Sequence, residues 1–243
     1  MEAIDRRLAS SSALDRKVAS ALRDIASFAD AGPCYASTSW GKDSTVLVHI
    51  VATLGMDIPV VSMRWPEVDN PDSALVRDAM LARFPHLDYR EFSEPVAWCH
   101  EACDWLGPSG LDYFRPVREA MGDRRISGIR ADESRARKMR LARWGVATQH
   151  TCAPLSRWTG PDIFAYLAKH DLPVHPAYAC TWGGTLDRER VRVDIIGGVT
   201  GTGRDRMDWE RRYYPDEVAS QDRMKQGVRH VTPKKSMTRR KSC

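Results

Sequence analysis

The chain has 243 residues, of which 42% are hydrophobic and 28% charged. This suits one globular domain with an appendage and excludes a collagen-like, low-complexity or wholly disordered chain. The net charge of +5 hints at a polyanionic partner, but residues 223–243 hold eight Lys or Arg and no acid, so subtracting them leaves residues 1–222 at −3.

Residues 13–30 read as an amphipathic helix, with Leu14, Val18, Leu22, Ile25 and Phe28 on one stripe. Gly32-Pro33 ends it. A strand is predicted over 34–39 and a helix over 44–54, closed by Gly55. The alternation repeats: strand 58–63, helix 72–84, strand 87–92, helix 96–106, strand 124–129, helix 132–144 and strand 147–152. A last helix covers 159–170, with Thr159 as cap, Pro161 in the first turn and Asp162 three residues after the cap. Strands alternating with helices of this length predict an α/β fold with a parallel sheet covered on both faces. From residue 171 glycines and prolines break the pattern. The expected organisation is a core over 1–170, a loop-rich extension over 171–222 and a basic, disordered tail over 223–243. The tail is either a solvated end or a contact for nucleic acid.

The longest apolar run, Thr45 to Leu54, is too short to span a bilayer, so no membrane partner is expected. The start, MEAIDRR, lacks the apolar stretch of an export signal. The six scattered cysteines then read as reduced thiols in a cytoplasm.

The segment Ser37-Thr38-Ser39-Trp40-Gly41-Lys42-Asp43-Ser44 joins the first strand to a helix, where open α/β sheets bind ligands. A helix N-terminus offers unpaired amides and partial positive charge. Gly41 lets the backbone approach an anion, Ser39 and Ser44 add hydroxyls, and Lys42 adds a full charge. Together they form a phosphate cradle; the alternative is a plain helix-capping turn. The string is neither GxxxxGK[ST] nor GxGxxG.

Ser39-Trp40-Gly41-Lys42-Asp43-Ser44 resembles the PP-loop of the adenine nucleotide α-hydrolase superfamily, usually written SGGxDS. Three more segments follow in order: Gly128 to Arg135, Pro154 to Leu167, and His170 to Tyr178. With them residues 34–178 resemble the phosphoadenosine phosphosulfate (PAPS) reductase family. That family includes PAPS reductases, the small subunit of bacterial ATP sulfurylase and the nucleotide-activating component of DNA phosphorothioation. The resemblance implies a five-stranded, mostly parallel sheet with helices on both faces, followed here by an irregular C-terminal extension. It implies phosphates at Ser39, Trp40, Gly41, Lys42, Asp43 and Ser44, and adenosine near Ser62, Met63, Gly128 and Arg130. Lys42 and Arg130 are the expected catalytic cations. Glu133 would position Mg²⁺ or pair with an arginine. Arg188, Arg190 and Arg192 alternate, so either they close over phosphates or they belong to a mixed-charge hairpin with Asp187, Glu189 and Asp194. The glycine run 197–203 is either a lid or a plain loop. Trp158, Phe164, Tyr166 and Leu167 read as core, and His170 and His175 as a poor metal pair; no metal ligands are expected.

The reductases of this family use a cysteine in a C-terminal ECGLH-like motif, which this chain lacks; Cys243 stands in Arg-Arg-Lys-Ser-Cys. There is no Cys-Cys pair and no CxxC, which argues against an iron–sulfur cluster. The expected ligand is therefore ATP with Mg²⁺, and the expected chemistry is adenylyl transfer with release of pyrophosphate. Reduction of PAPS, or of adenylyl sulfate, is the alternative. A non-catalytic nucleotide sensor within a nucleic-acid-associated complex is a third reading. The expected partners are the nucleotide, a partner subunit or a second copy in a homodimer, and nucleic acid through the tail.

Overall fold

The computed structural model describes residues 3–99, 104–110, 112–181, 184, 186–193, 195–196 and 204–229. Two helices open it, α1 (Ala3–Ala9) and α2 (Ser12–Asp30). Ser11 caps α2 by accepting the Ala13 amide hydrogen at 3.2 Å. Strand β1 (Tyr35–Thr38) feeds helix α3 (Lys42–Leu54), which ends on Gly55 at φ 64°, the left-handed closure expected there. Strand β2 (Val60–Arg64), helix α4 (Ser73–Arg83) and strand β3 (Tyr89–Ser93) follow.

The next segment departs from expectation. Residues 96–106 do not form a helix. Strands β4 (Ala97–Cys99) and β5 (Asp104–Leu106) pair antiparallel, with Trp98 opposite Trp105. Apolar residues three and four apart mimic a helical stripe here. The stronger term is burial of two indoles edge to face, with centroids 5.3 Å apart. Helix α5 (Arg115–Met121), strand β6 (Arg125–Ile126), helix α6 (Arg135–Trp144), strand β7 (Thr151–Cys152) and helix α7 (Gly160–Lys169) complete the core. The predicted capping of α7 is present: Thr159 and Asp162 form a reciprocal capping box.

The sheet order is β3-β2-β1-β6-β7, and every neighbouring pair is parallel. Alternation sends side chains to opposite faces. Ala36, Val60 and Ile126 pack with α2, α3, α4 and α7. Tyr35, Val61 and Met63 pack with Val117 of α5. Helix α3 lies at the centre, buried continuously from Ser44 to Val51.

The C-terminal stretch is more regular than its sequence suggests. Helices α8 (Arg204–Tyr213) and α9 (Pro215–Arg229) take up nearly all of residues 204–229, and α9 takes in the first part of the predicted tail, 223–229. Their anchors explain this. Trp209 and Tyr214 enter the main core, the Trp209 indole donates to the Cys180 carbonyl, and the Tyr214 hydroxyl donates to Asp72. The glycine run 197–203 and residues 230–243 lie outside the described residues.

His49 and His175 are buried, and burial first of all pushes both pKa values down to about 4. The unfolded chain binds these protons near pH 6.5, whereas the folded chain binds them only near pH 4. Stability is therefore full above pH 6.5 and falls as pH drops towards 4, by about 3 kcal/mol for each histidine. His175→Asn keeps an acceptor for the Ala177 amide but cannot titrate in this range. It should flatten the decline in urea unfolding measured across pH 7 to 4.

Candidate active site

The β1–α3 connection forms the floor of a cavity of about 310 Å³. Trp40 turns the chain with a left-handed φ of 58°. Its amide donates to Thr38 Oγ1 at 3.1 Å, and the Ser39 amide donates to Ser44 Oγ at 3.3 Å. Ser44 Oγ in turn donates to the Gly41 carbonyl at 3.1 Å. The Lys42 amide donates to the Tyr178 hydroxyl at 3.1 Å. Among the described residues the amides of Asp43 and Ser44 have no acceptor. They supply the helix-terminal donors that an anion needs.

Of the expected site residues, Ser39, Gly41, Lys42, Asp43, Ser44, Gly128, Glu133 and Arg192 line this cavity. Lys42 is only 5% exposed and lies 3.1 Å from Asp43 and 5.2 Å from the Tyr178 ring centre. Gly128 is required by close approach. A Cβ there would stand 3.0 Å from the Asp43 carbonyl carbon and 3.1 Å from the Ser44 amide nitrogen, both backbone atoms. Gly128→Ala should push the cradle aside, lower stability by about 2 kcal/mol and weaken nucleotide binding. Denaturant unfolding and calorimetry read the two effects separately.

Other expected residues are placed elsewhere. The Trp40 side chain turns into the core, 2% exposed, with its ring 5.5 Å from Tyr89. Only its backbone shapes the loop. Ser62 and Met63 are buried in β2 and do not line the cavity, because neighbouring strands and α5 cover them. Arg130 is not on the wall either. Its Nε donates to Asp43 at 2.5 Å and its Nη1 to Asp132 at 2.6 Å. Burial disfavours its charge, but Asp43, Asp132 and Glu133 outweigh this and hold its pKa above the ordinary value. Arg130 thus positions Asp43 from behind. Arg188 turns away to a bidentate pair with Asp5, beside Phe164. Residues 188–190 form a 3-10 turn rather than an extended segment, which breaks the predicted alternation. The Arg190 side chain and Asp194 lie outside the described residues.

Sequence reasoning missed several lining residues: Ser37, Thr38, Phe114, Arg125, Ser127, Tyr178, Val191 and Val193. Arg125 matters most. It faces the α5 side of the sheet beside Tyr35, stacked 4.5 Å from the Phe114 ring centre. Burial, together with the nearby charges of Arg118 and Arg140, pushes its pKa down. Among the described residues it has no carboxylate partner. Such a cation favours a bound anion.

The lining carboxylates do not suit Mg²⁺. Asp43 is engaged by Lys42 and Arg130, and Glu133 by Arg137 and the Arg130 amide. Among the described residues no group of three or more His, Cys, Asp or Glu is placed to hold a metal ion. Cys34 and Cys152 are buried, Cys99 and Cys180 are half-buried, and all four are free thiols. Cys103 and Cys243 lie outside the described residues.

Comparison with known proteins agrees with the resemblance. The sequence model of the phosphoadenosine phosphosulfate reductase domain matches residues 110–202. The phosphoadenosine 5'-phosphosulfate reductase of Xylella fastidiosa is 24% identical over 156 residues, covering 58% of this chain and 65% of that protein. Its counterpart in Xanthomonas axonopodis pv. citri is 27% identical over 157 residues, covering 58% and 64%. The chain thus matches just under two thirds of the length of these relatives. A crystal structure of PAPS reductase from Candida auris superposes with a TM-score of 0.49 at 14% identity, covering 68% of this chain and 90% of that one. No helix among the described residues is long and apolar enough to cross a membrane. The PP-loop string in its strand–turn–helix setting and the domain match over residues 110–202 thus make the chain similar to the phosphoadenosine phosphosulfate reductase family.

Proposed function

We propose that the chain is an enzyme that binds an anionic adenine nucleotide in this cavity and acts at its phospho-anhydride, with phosphoadenosine phosphosulfate as the preferred ligand. The observation that carries this reading is Arg125. It gives the cavity a cationic position separate from the Lys42 cradle, and it lacks a carboxylate partner among the described residues. A nucleotide with anions at both its 5' and 3' positions would engage both. The relatives' name supports the same ligand. Lys42 and the amides at the start of α3 would stabilise charge on the phosphate that remains with adenosine.

One observation favours a second reading. No cysteine lines the cavity among the described residues. Cys180, two residues beyond Tyr178, has its pKa raised first by burial and then by Asp72, so it stays a thiol. Attack at sulfur needs a thiolate. With none at the cavity among the described residues, the cradle suits adenylyl transfer, in which an oxyanion attacks the α-phosphorus of ATP and pyrophosphate leaves.

Calorimetric titration separates the two readings. Tight binding of adenosine 3',5'-bisphosphate, lost in Arg125→Ala, supports PAPS. Tight binding of only a non-hydrolysable ATP analogue with Mg²⁺ supports adenylyl transfer. Binding of neither overturns both.

A further inference from the structure

Helix α6 buries none of its residues. It reads Arg135-Ala136-Arg137-Lys138-Met139-Arg140-Leu141-Ala142-Arg143-Trp144, with five cations and no acid. A helix with so many charges on its surface is stabilised by compensating pairs. This one has the opposite. Arg135 with Lys138, Arg137 with Arg140, and Arg140 with Arg143 set like charges three apart. Its first turn is cationic where the helix dipole favours acids. Among the described residues Arg137 alone of the five has a carboxylate partner, Glu133; Arg140 donates to the Thr151 hydroxyl. Among the described residues Arg135, Lys138 and Arg143 have no ion-pair partner.

Two large apolar side chains lie open on the same helix. Met139 is 63% exposed and Trp144 56% exposed. They border a shallow groove with Ala136, Arg140, Ala142 and Arg143. Arg143 stacks 4.9 Å from the Trp144 ring centre. The start of the helix borders the cavity, whose lining includes Arg137 and, just before the helix, Glu133.

We propose that α6 is a docking surface for a single-stranded nucleic acid, which it holds beside the cavity. Phosphates would neutralise Arg135, Lys138 and Arg143. An unpaired base would stack on Trp144. The charge favours this occupant, since residues 1–222 carry a net −3 while α6 carries +5. A double helix keeps its bases stacked inside and offers Trp144 no free face. The surface lies outside the nucleotide cradle, so the inference stands whichever nucleotide the cavity takes.

The test is fluorescence anisotropy of a labelled mixed-sequence single strand, in RNA and DNA form, with the full chain across a range of salt concentrations. The triple variant Arg135→Glu, Lys138→Glu, Arg143→Glu should reduce the slope of log affinity against log salt by about 2. Trp144→Ala should weaken binding about tenfold. Both variants change exposed side chains; Trp144→Ala should unfold thermally like the parent, and the triple variant at or slightly above it, since it removes like-charge pairs. Duplex of the same sequence, and polyglutamate as competitor, should bind more weakly than the strand. The proposal is overturned if the triple variant keeps parental affinity and slope. It is also overturned if deletion of residues 230–243 alone removes binding, or if polyglutamate competes as well as the strand does.

Discussion

Lys42→Ala is expected to cut turnover by about a hundredfold to a thousandfold, the usual cost of removing one preorganised charge donor. The side chain sits at the first turn of α3, 5% exposed, in the wall of the cavity. Its loss should leave the fold standing, because Asp43 keeps its bond to Arg130. Nucleotide binding should weaken in parallel. Steady-state turnover and calorimetry on one preparation check both effects. Unchanged turnover would remove the cradle from the chemistry.

Arg130→Ala should act in the reverse order. The guanidinium is buried and shared between Asp43 and Asp132. Removing it leaves Asp132 without its cation and Asp43 with Lys42 alone, at a cost of about 3 kcal/mol. That cost should appear in denaturant unfolding with no nucleotide present. A variant of parental stability that failed only in nucleotide binding would return Arg130 to the role its sequence position suggests, a direct phosphate clamp.

The contrast between these two residues shows what the sequence conveys. The cradle was legible because its parts are contiguous: serines, glycine and lysine sit between a strand and a helix, and local rules govern them. Arg130 was legible as a charge at a strand end, but not as a tied one. Its partner Asp43 lies 87 residues away, and only the parallel pairing of β1 with β6 brings them together. Tyr178 was hidden for a similar reason. An aromatic after a proline turn reads as core, and its hydroxyl meets the Lys42 amide across 136 residues. Arg125 was one of eight basic residues between 124 and 143, with nothing local to single it out. The sheet and helices were legible wherever periodicity was strong. The β4–β5 hairpin was not, because its pairing depends on residues across the turn rather than on neighbours.

Trp40 carries a kinetic consequence. In the loop pattern this chain resembles, glycine stands at that place and can move freely. Here a residue with a side chain holds φ at 58°, and its buried indole keeps it there. Left-handed backbone costs about 1–2 kcal/mol outside glycine, and packing of the indole offsets it. The turn is thus set when the protein folds, before any anion arrives. Capture then includes no slow ordering of the loop. If the cavity takes an anion as proposed, the capture rate should be set by encounter and should rise in proportion to ligand concentration.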